Sequence, residues 1–154
     1  MKVLTSEDAH LRTVSTHVLL EDLKGPKTQK LFDELIEIMT AERGIGIAAP
    51  QVGICKRLII VSTKNGIEAF ANPKMISASL RKVDSEEGCL SIPGVIGKVK
   101  RHASIKIKAL DRYGKRIQRK ATGLEAIIFQ HEIDHLDGIL FIDRIEGSSQ
   151  VSRL

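Results

Sequence analysis

The spacing of hydrophobic positions changes character along the chain. Between residues 26 and 43 it is helical: Leu31, Phe32, Leu35, Ile36, Ile38 and Met39 build one apolar face. Pro26 suits the first helical position and Gly44 ends the run. From there to about residue 120 the pattern is that of antiparallel strands. Leu58-Ile59-Ile60-Val61 is a buried strand, Asn65-Gly66 a hairpin turn, and Ile67 to Phe70 the return. Residues 103–110 alternate as a half-buried strand, residues 111–114 turn, and residues 115–121 run back. Helical spacing resumes over 123–137, and Ile-Leu-Phe-Ile-Asp-Arg at 139–144 reads as one more short strand. Helix, a run of strands, then helix predicts an α+β fold. Its antiparallel strands would pack around the second helix, with the first helix on the N-terminal side.

That second helix carries the chemistry. Leu124, Ile128, His131 and His135 form one stripe, with Ile127 beside it. Thr122 and Glu125 make a capping-box pattern at its start, and Gly138 suits a left-handed end. His131 and His135 are four residues apart, a net rotation of roughly 40° with a rise of about 6 Å. Both imidazoles therefore project from one face and suit a single metal ion. Glu132 flanks the first of them, where a general base for water belongs. The plainer alternative is a solvated helix face that happens to carry histidines and acids. The apolar stripe argues against it.

Composition changes this picture little. The chain has 154 residues, 42% hydrophobic and 28% charged, with no Trp, so its core is aliphatic. This length suggests a single domain over residues 1–154, with a short tail from about residue 146. No leader pattern and no membrane-length apolar run is evident. Cys55 and Cys89 read as free thiols of a reducing compartment, which predicts a cytoplasmic protein. The net charge of +5 is a mild bias toward a polyanionic neighbour, with no motif for sequence-specific nucleic-acid binding.

Two helical histidines leave a tetrahedral site short of one protein ligand. His10 and His17 lie in a polar N-terminal stretch, and His102 follows Arg101 in a basic strand; all three read as surface residues. Cys89 sits in Glu87-Gly88-Cys89-Leu90-Ser91, a glycine-marked segment between strands, and a thiolate with two imidazoles is a recognised catalytic set. Its alternative is a small buried hydrophobe, the reading given to Cys55.

Three motifs now stand in order: Gly44-Ile45-Gly46-Ile47-Ala48-Ala49-Pro50-Gln51, Glu87-Gly88-Cys89-Leu90-Ser91 and His131-Glu132-Ile133-Asp134-His135-Leu136-Asp137-Gly138. Together they make the chain resemble the peptide deformylases, from Lys2-Val3-Leu4 to about Ile145. The resemblance implies a hydrolase that removes the formyl group from the formyl-methionine of newly made polypeptides. It implies Cys89, His131 and His135 as ligands of one divalent metal. Fe2+ would be the working ion, and Zn2+, Ni2+ or Co2+ would occur in preparations. It implies Glu132 as general base, with the Gln51 amide and the Leu90 backbone N–H holding the oxyanion. It also implies that Ile45, Gly46 and Gly88 flank an extended peptide. Leu124, Ile127 and Ile128 would wall the methionine pocket, and Arg101 would lie near the cleft.

Two departures bear on this. The segment Ser6 to Arg12 lacks the family's usual proline, and only 16 residues follow Gly138, where many members continue into a long helix. Any contact with the ribosome by that route is therefore expected to be weak. Two rivals remain at this stage: a zinc endopeptidase of the His-Glu-x-x-His type, and an inactive deformylase-like binding module. The first normally takes a further ligand downstream, where only Glu146 is available; the second would have lost Glu132, Cys89 or Gln51.

Overall fold

The computed structural model describes residues 1–145 and the backbone of 151–153. Of the tail expected from about residue 146, residues 146–150 lie outside the described residues, and Val151–Arg153 form a strand instead. Helices α1 (Leu20–Lys24), α2 (Pro26–Ala41) and α3 (Gly123–Leu136) combine with eight strands: β1 (Gly46–Ala48), β2 (Leu58–Thr63), β3 (Gly66–Ala78), β4 (Lys82–Cys89), β5 (Ile92–His102), β6 (Ser104–Asp111), β7 (Arg116–Thr122) and β8 (Val151–Arg153). All ladders are antiparallel. Five strands form one sheet in the order β1-β2-β3-β6-β7, and three form another in the order β4-β5-β8.

The α+β expectation holds, with the hairpin at Asn65-Gly66 in register from Thr63↔Gly66 onward. The N-terminal helix is joined by the short α1, which stops at Gly25. That residue precedes Pro26 and is extended (φ −73°, ψ 158°), because the proline ring disfavours helical backbone before it.

Helices α2 and α3 cover opposite faces of the larger sheet. Leu31, Phe32, Leu35 and Met39 of α2 join Ile47, Leu58 and Ile60 in one core. Ala126, Ile128, Phe129 and Leu136 of α3 join Ile59, Val61, Phe70, Ile105 and Ile107 in a second. Helix α3 also touches β5, so it runs between the two sheets. Its burial follows from that place. Gln130, Glu132, Asp134 and His135 are buried along with its apolar residues, whereas Leu124 is 62% exposed at its first turn. The single stripe expected from the sequence is therefore replaced by a helix buried on several sides.

Two local expectations fail. Thr122 makes no side-chain cap, and the helix begins instead on Gly123 at φ +58°. Residues Phe141–Arg144 form a 3-10 turn rather than a strand. Asp143 accepts the Leu140 backbone N–H and pairs with Arg12, while Arg144 pairs with Asp134 of α3. These side-chain bonds compete with strand pairing and win. Phe141 from this turn stacks on the His131 ring, with centroids 6.2 Å apart.

Candidate active site

The β4–β5 hairpin delivers Cys89. The pairing register shifts between Glu87↔Gly97 and Cys89↔Ile92, and such an irregularity re-aims side chains at the end of a ladder. Cys89 Sγ lies 3.4 Å from His135 Nε2. The His131 and His135 rings, one turn apart on α3, have centroids 5.1 Å apart. Donor atoms of Cys89, His131 and His135 all lie within 4.8 Å of one another. The chemistry of the set fits a metal: one soft thiolate and two imidazoles suit zinc, iron, cobalt or nickel. So does the tautomer. His131 Nδ1 stands 2.8 Å from Glu87 Oε1, which leaves Nε2 for an ion. The other histidines are elsewhere. His10 and His17 are exposed, and His102 Nδ1 bonds the Ser79 carbonyl. Cys55 is half-buried rather than buried, its Sγ 3.7 Å from the His10 carbonyl.

Arg101 lies against Glu87 and is itself buried. Its guanidinium is 3% exposed and fully engaged. It grips Glu87 through two bonds (2.8 and 2.7 Å) and Asp134 through a third (2.7 Å). Asp134 in turn takes Arg144. Burial favours the neutral carboxyl at Glu87, but Arg101 and His131 outweigh it and hold the group down at about 2. Arg101 is thus connected to His131 through Glu87. Arg101→Lys keeps the charge and loses the two-pronged grip. Metal affinity, read by chelator competition, is expected to fall about tenfold. Unchanged affinity would show that Glu87 is held without it.

Glu132 is 4% exposed, and its Oε2 has no hydrogen-bond partner among the described residues. Burial pushes it up to about 7; His131 and Arg101 oppose this, and Glu87 and Asp134 add to it. A carboxyl so placed suits both taking and returning a proton near neutrality. Gly46 explains how it is packed. A Cβ there would run into the Glu132 carboxylate and into Ile128 Cγ2. Gly46→Ala is expected to cut kcat about tenfold or more by displacing Glu132, with little loss of metal. Full kcat would show that the carboxylate has room to move.

Gln51 is 1% exposed, in the 3-10 turn Ala49–Val52 that follows β1. Its Oε1 accepts the Ala48 N–H at 2.9 Å, which fixes the amide orientation. Nε2 then points to Ser91 Oγ at 3.2 Å and Cys89 Sγ at 3.6 Å. Leu90 lies in the two-residue turn that follows Cys89.

These residues open onto one cavity of about 410 Å³. Ile45, Gly46, Gln51, Gly88, Cys89 and Leu90 line it, as do Leu124, Ile127, Ile128, His131 and Glu132. His135 lies behind it, 1% exposed. The sequence reading missed Glu87 as the partner of His131, and Ile92, Val95 and Ile96 of β5 as the far wall. Glu87 stood within a quoted motif, but only the folded chain puts an acid 44 positions away against His131.

The model of the family described as polypeptide deformylase matches residues 1–151. A peptide deformylase from Pelotomaculum thermopropionicum is 50% identical over 118 residues, covering 77% of this chain and 76% of that one. One from Thermomicrobium roseum is 40% identical over 156 residues, covering 96% and 86%. The chain belongs to the polypeptide deformylase family. Its activity is accordingly the metal-dependent removal of the formyl group from N-formyl-methionyl peptides. Neither the endopeptidase nor the inactive-module alternative gains support. Among solved structures, the peptide deformylase of Thermotoga maritima superposes with a TM-score of 0.90 at 34% identity, covering 95% of this chain and 97% of that one. A Met-Ala-Ser-bound deformylase from Acinetobacter baumannii gives 0.90 at 34% identity, covering 94% and 98%.

Proposed function

We propose that Cys89, His131 and His135 hold one ferrous ion, and that Glu132, Gln51 and Leu90 carry out the hydrolysis beside it. The observation that carries this reading is the three donors within 4.8 Å, at the floor of a cavity that also presents Glu132 and Gln51. When bound, a divalent ion supplies the Lewis acidity that makes water a usable nucleophile at neutral pH. Glu132 takes the proton of the attacking water and returns it to the departing amine. The Gln51 amide N–H, with the Leu90 backbone N–H, donates to the oxyanion that develops on the formyl carbon.

The peptide lies extended between the Ile45-Gly46 segment and Gly88, in the manner of an added strand. Leu124, Ile127 and Ile128 receive the methionine side chain. The Acinetobacter baumannii relative is bound to Met-Ala-Ser, which supports this choice of ligand class. Residues 1–154 act as one catalytic domain in the cytoplasm; no described helix is long and apolar enough to cross a membrane.

Iron is the finer part of the proposal. Thiolate and imidazole ligands accept iron or zinc, and the affinity order favours zinc in material handled in air. Iron beside a thiolate at a cavity floor is open to oxygen. One apo preparation reconstituted anaerobically with each metal tests it, by timing formate release before and after air. The iron form is expected to be faster and to decay. A zinc form equally fast, with a stable iron form, would overturn iron as the working metal.

A further inference from the structure

The larger sheet has a face that its helices only half cover. Helix α2 packs over β1, β2 and the near part of β3, and Leu110 of β6 still touches that core. Beyond it, no core cluster of the described residues joins a helix to the same face of β3, β6 and β7. Cross-strand partners in an antiparallel ladder share a face, so the pairing identifies who stands there. Lys74 pairs with Lys108, Lys106 with Lys120, and Leu110 with Arg116. The polar residues among them are Ser77, opposite Lys106, and Gln118, opposite Lys108.

The five cations Lys74, Lys106, Lys108, Arg116 and Lys120 are all exposed. None of their side chains makes an ion pair or hydrogen bond with any described residue. No Asp or Glu occupies a facing position from Lys106 to Leu110 or from Arg116 to Lys120. Two pairs put like charge directly opposite like charge, which costs sheet stability rather than adding to it. Elsewhere the same sheet neutralises its cations: Arg119 is paired with Glu68 and Arg112 with Asp33. Like charges left unpaired among the described residues make this face attractive to an anion from outside.

We propose that this face is a docking surface for the phosphodiester backbone of RNA, bound without sequence preference. Along β6 the cations repeat every second residue, roughly 7 Å, and across the ladder they stand about 5 Å apart. Charges spaced in this way meet successive phosphates, and the Ser77 and Gln118 side chains add the neutral donors that phosphate and sugar contacts use. An anionic bilayer is the rival partner. Surface-lying membrane segments combine cations with bulky apolar side chains that enter the acyl region. In the rows from Lys74 to Lys120 no Phe, Trp or Tyr stands among the lysines. Met75 and Ile76 of β3 are each 39% exposed, but no aromatic stands among the lysines and the cations outnumber these apolar side chains, which favours RNA.

The test uses the full chain with its metal and a fluorescent 20-base-pair RNA duplex, read by anisotropy at 50 and 200 mM salt. Four neutralised phosphates predict about a hundredfold loss of affinity across that range. A triple variant, Lys106→Glu, Lys108→Glu and Lys120→Glu, is expected to weaken binding at least tenfold at 50 mM salt and to flatten the salt dependence. A control of equal charge change on exposed lysines elsewhere, Lys27→Glu, Lys56→Glu and Lys64→Glu, is expected to lose less than threefold. Formate release from formyl-Met-Ala-Ser should stay unchanged in both, which shows that they fold. Equal losses in the two variants would mean net charge alone and overturn the proposal. So would no measurable RNA binding, or retention by phosphatidylserine vesicles that exceeds retention by RNA. If the face variant does not fold, the single change Lys108→Gln must still weaken RNA binding, and an unaltered affinity overturns the proposal.

Discussion

Glu132→Gln is expected to keep its metal and lose turnover by roughly 10²–10⁴-fold, the usual worth of a positioned acid–base group. The amide matches the carboxylate in size and fits the space beside Gly46 and Ile128, so the packing survives. What is lost is the capacity to take a proton from water and hand it on. Formate release in a single-turnover experiment reads this directly, and metal analysis of the same sample separates it from loss of the ion. Near-normal turnover at full metal occupancy would remove Glu132 from the mechanism. The remaining proton carrier would then have to be sought among the other groups lining the cavity.

Cys89→Ser is expected to weaken metal binding about 100-fold or more. A hydroxyl is a poor ligand for soft or borderline ions and stays protonated where a thiol ionises. Cys55→Ser is the control, since Cys55 faces the His10 carbonyl and stands outside the donor cluster. Titration against a chromogenic chelator should show one ion per chain in the wild type and in the Cys55 variant. In the Cys89 variant the ion should be readily stripped. Equal loss from both would mean that the thiolate of Cys89 is not a ligand.

The legibility of this chain followed the range of the interactions involved. His131, Glu132 and His135 lie within five residues of one another, so helical geometry alone brings them together. Ile105 and Ile107 alternate with Lys106 and Lys108, and that period marked β6 without any knowledge of its neighbours. The failures lie where a distant group decides. Residues 139–144 have a strand-like composition, but Arg12 and Asp134 capture their charged side chains and close a 3-10 turn.

Arg101 looked like a cation of a basic strand near a cleft. Only the packed fold brings Glu87 and Asp134 to it from two other elements and buries all three. The Thr122–Glu125 capping pattern had the right residues and the wrong backbone: Gly123 at φ +58° starts the helix without a side-chain cap. Resemblance to known motifs assigned Gln51 and Leu90, to which spacing and composition alone gave no role. The fold then supplied an independent reason for Gln51, because the Ala48 N–H orients its amide toward Cys89.

The central claim is that this one cavity, with one ion held by Cys89, His131 and His135, deformylates formyl-methionyl peptides. Formate release from formyl-Met-Ala-Ser, followed while apo-protein is titrated anaerobically with ferrous iron, tests it most directly. The predicted result is activity that rises linearly and stops at one iron per chain, with no cleavage of the Met-Ala or Ala-Ser bonds. A chain that takes up one iron and releases no formate, or that cuts an internal peptide bond instead, would contradict the account.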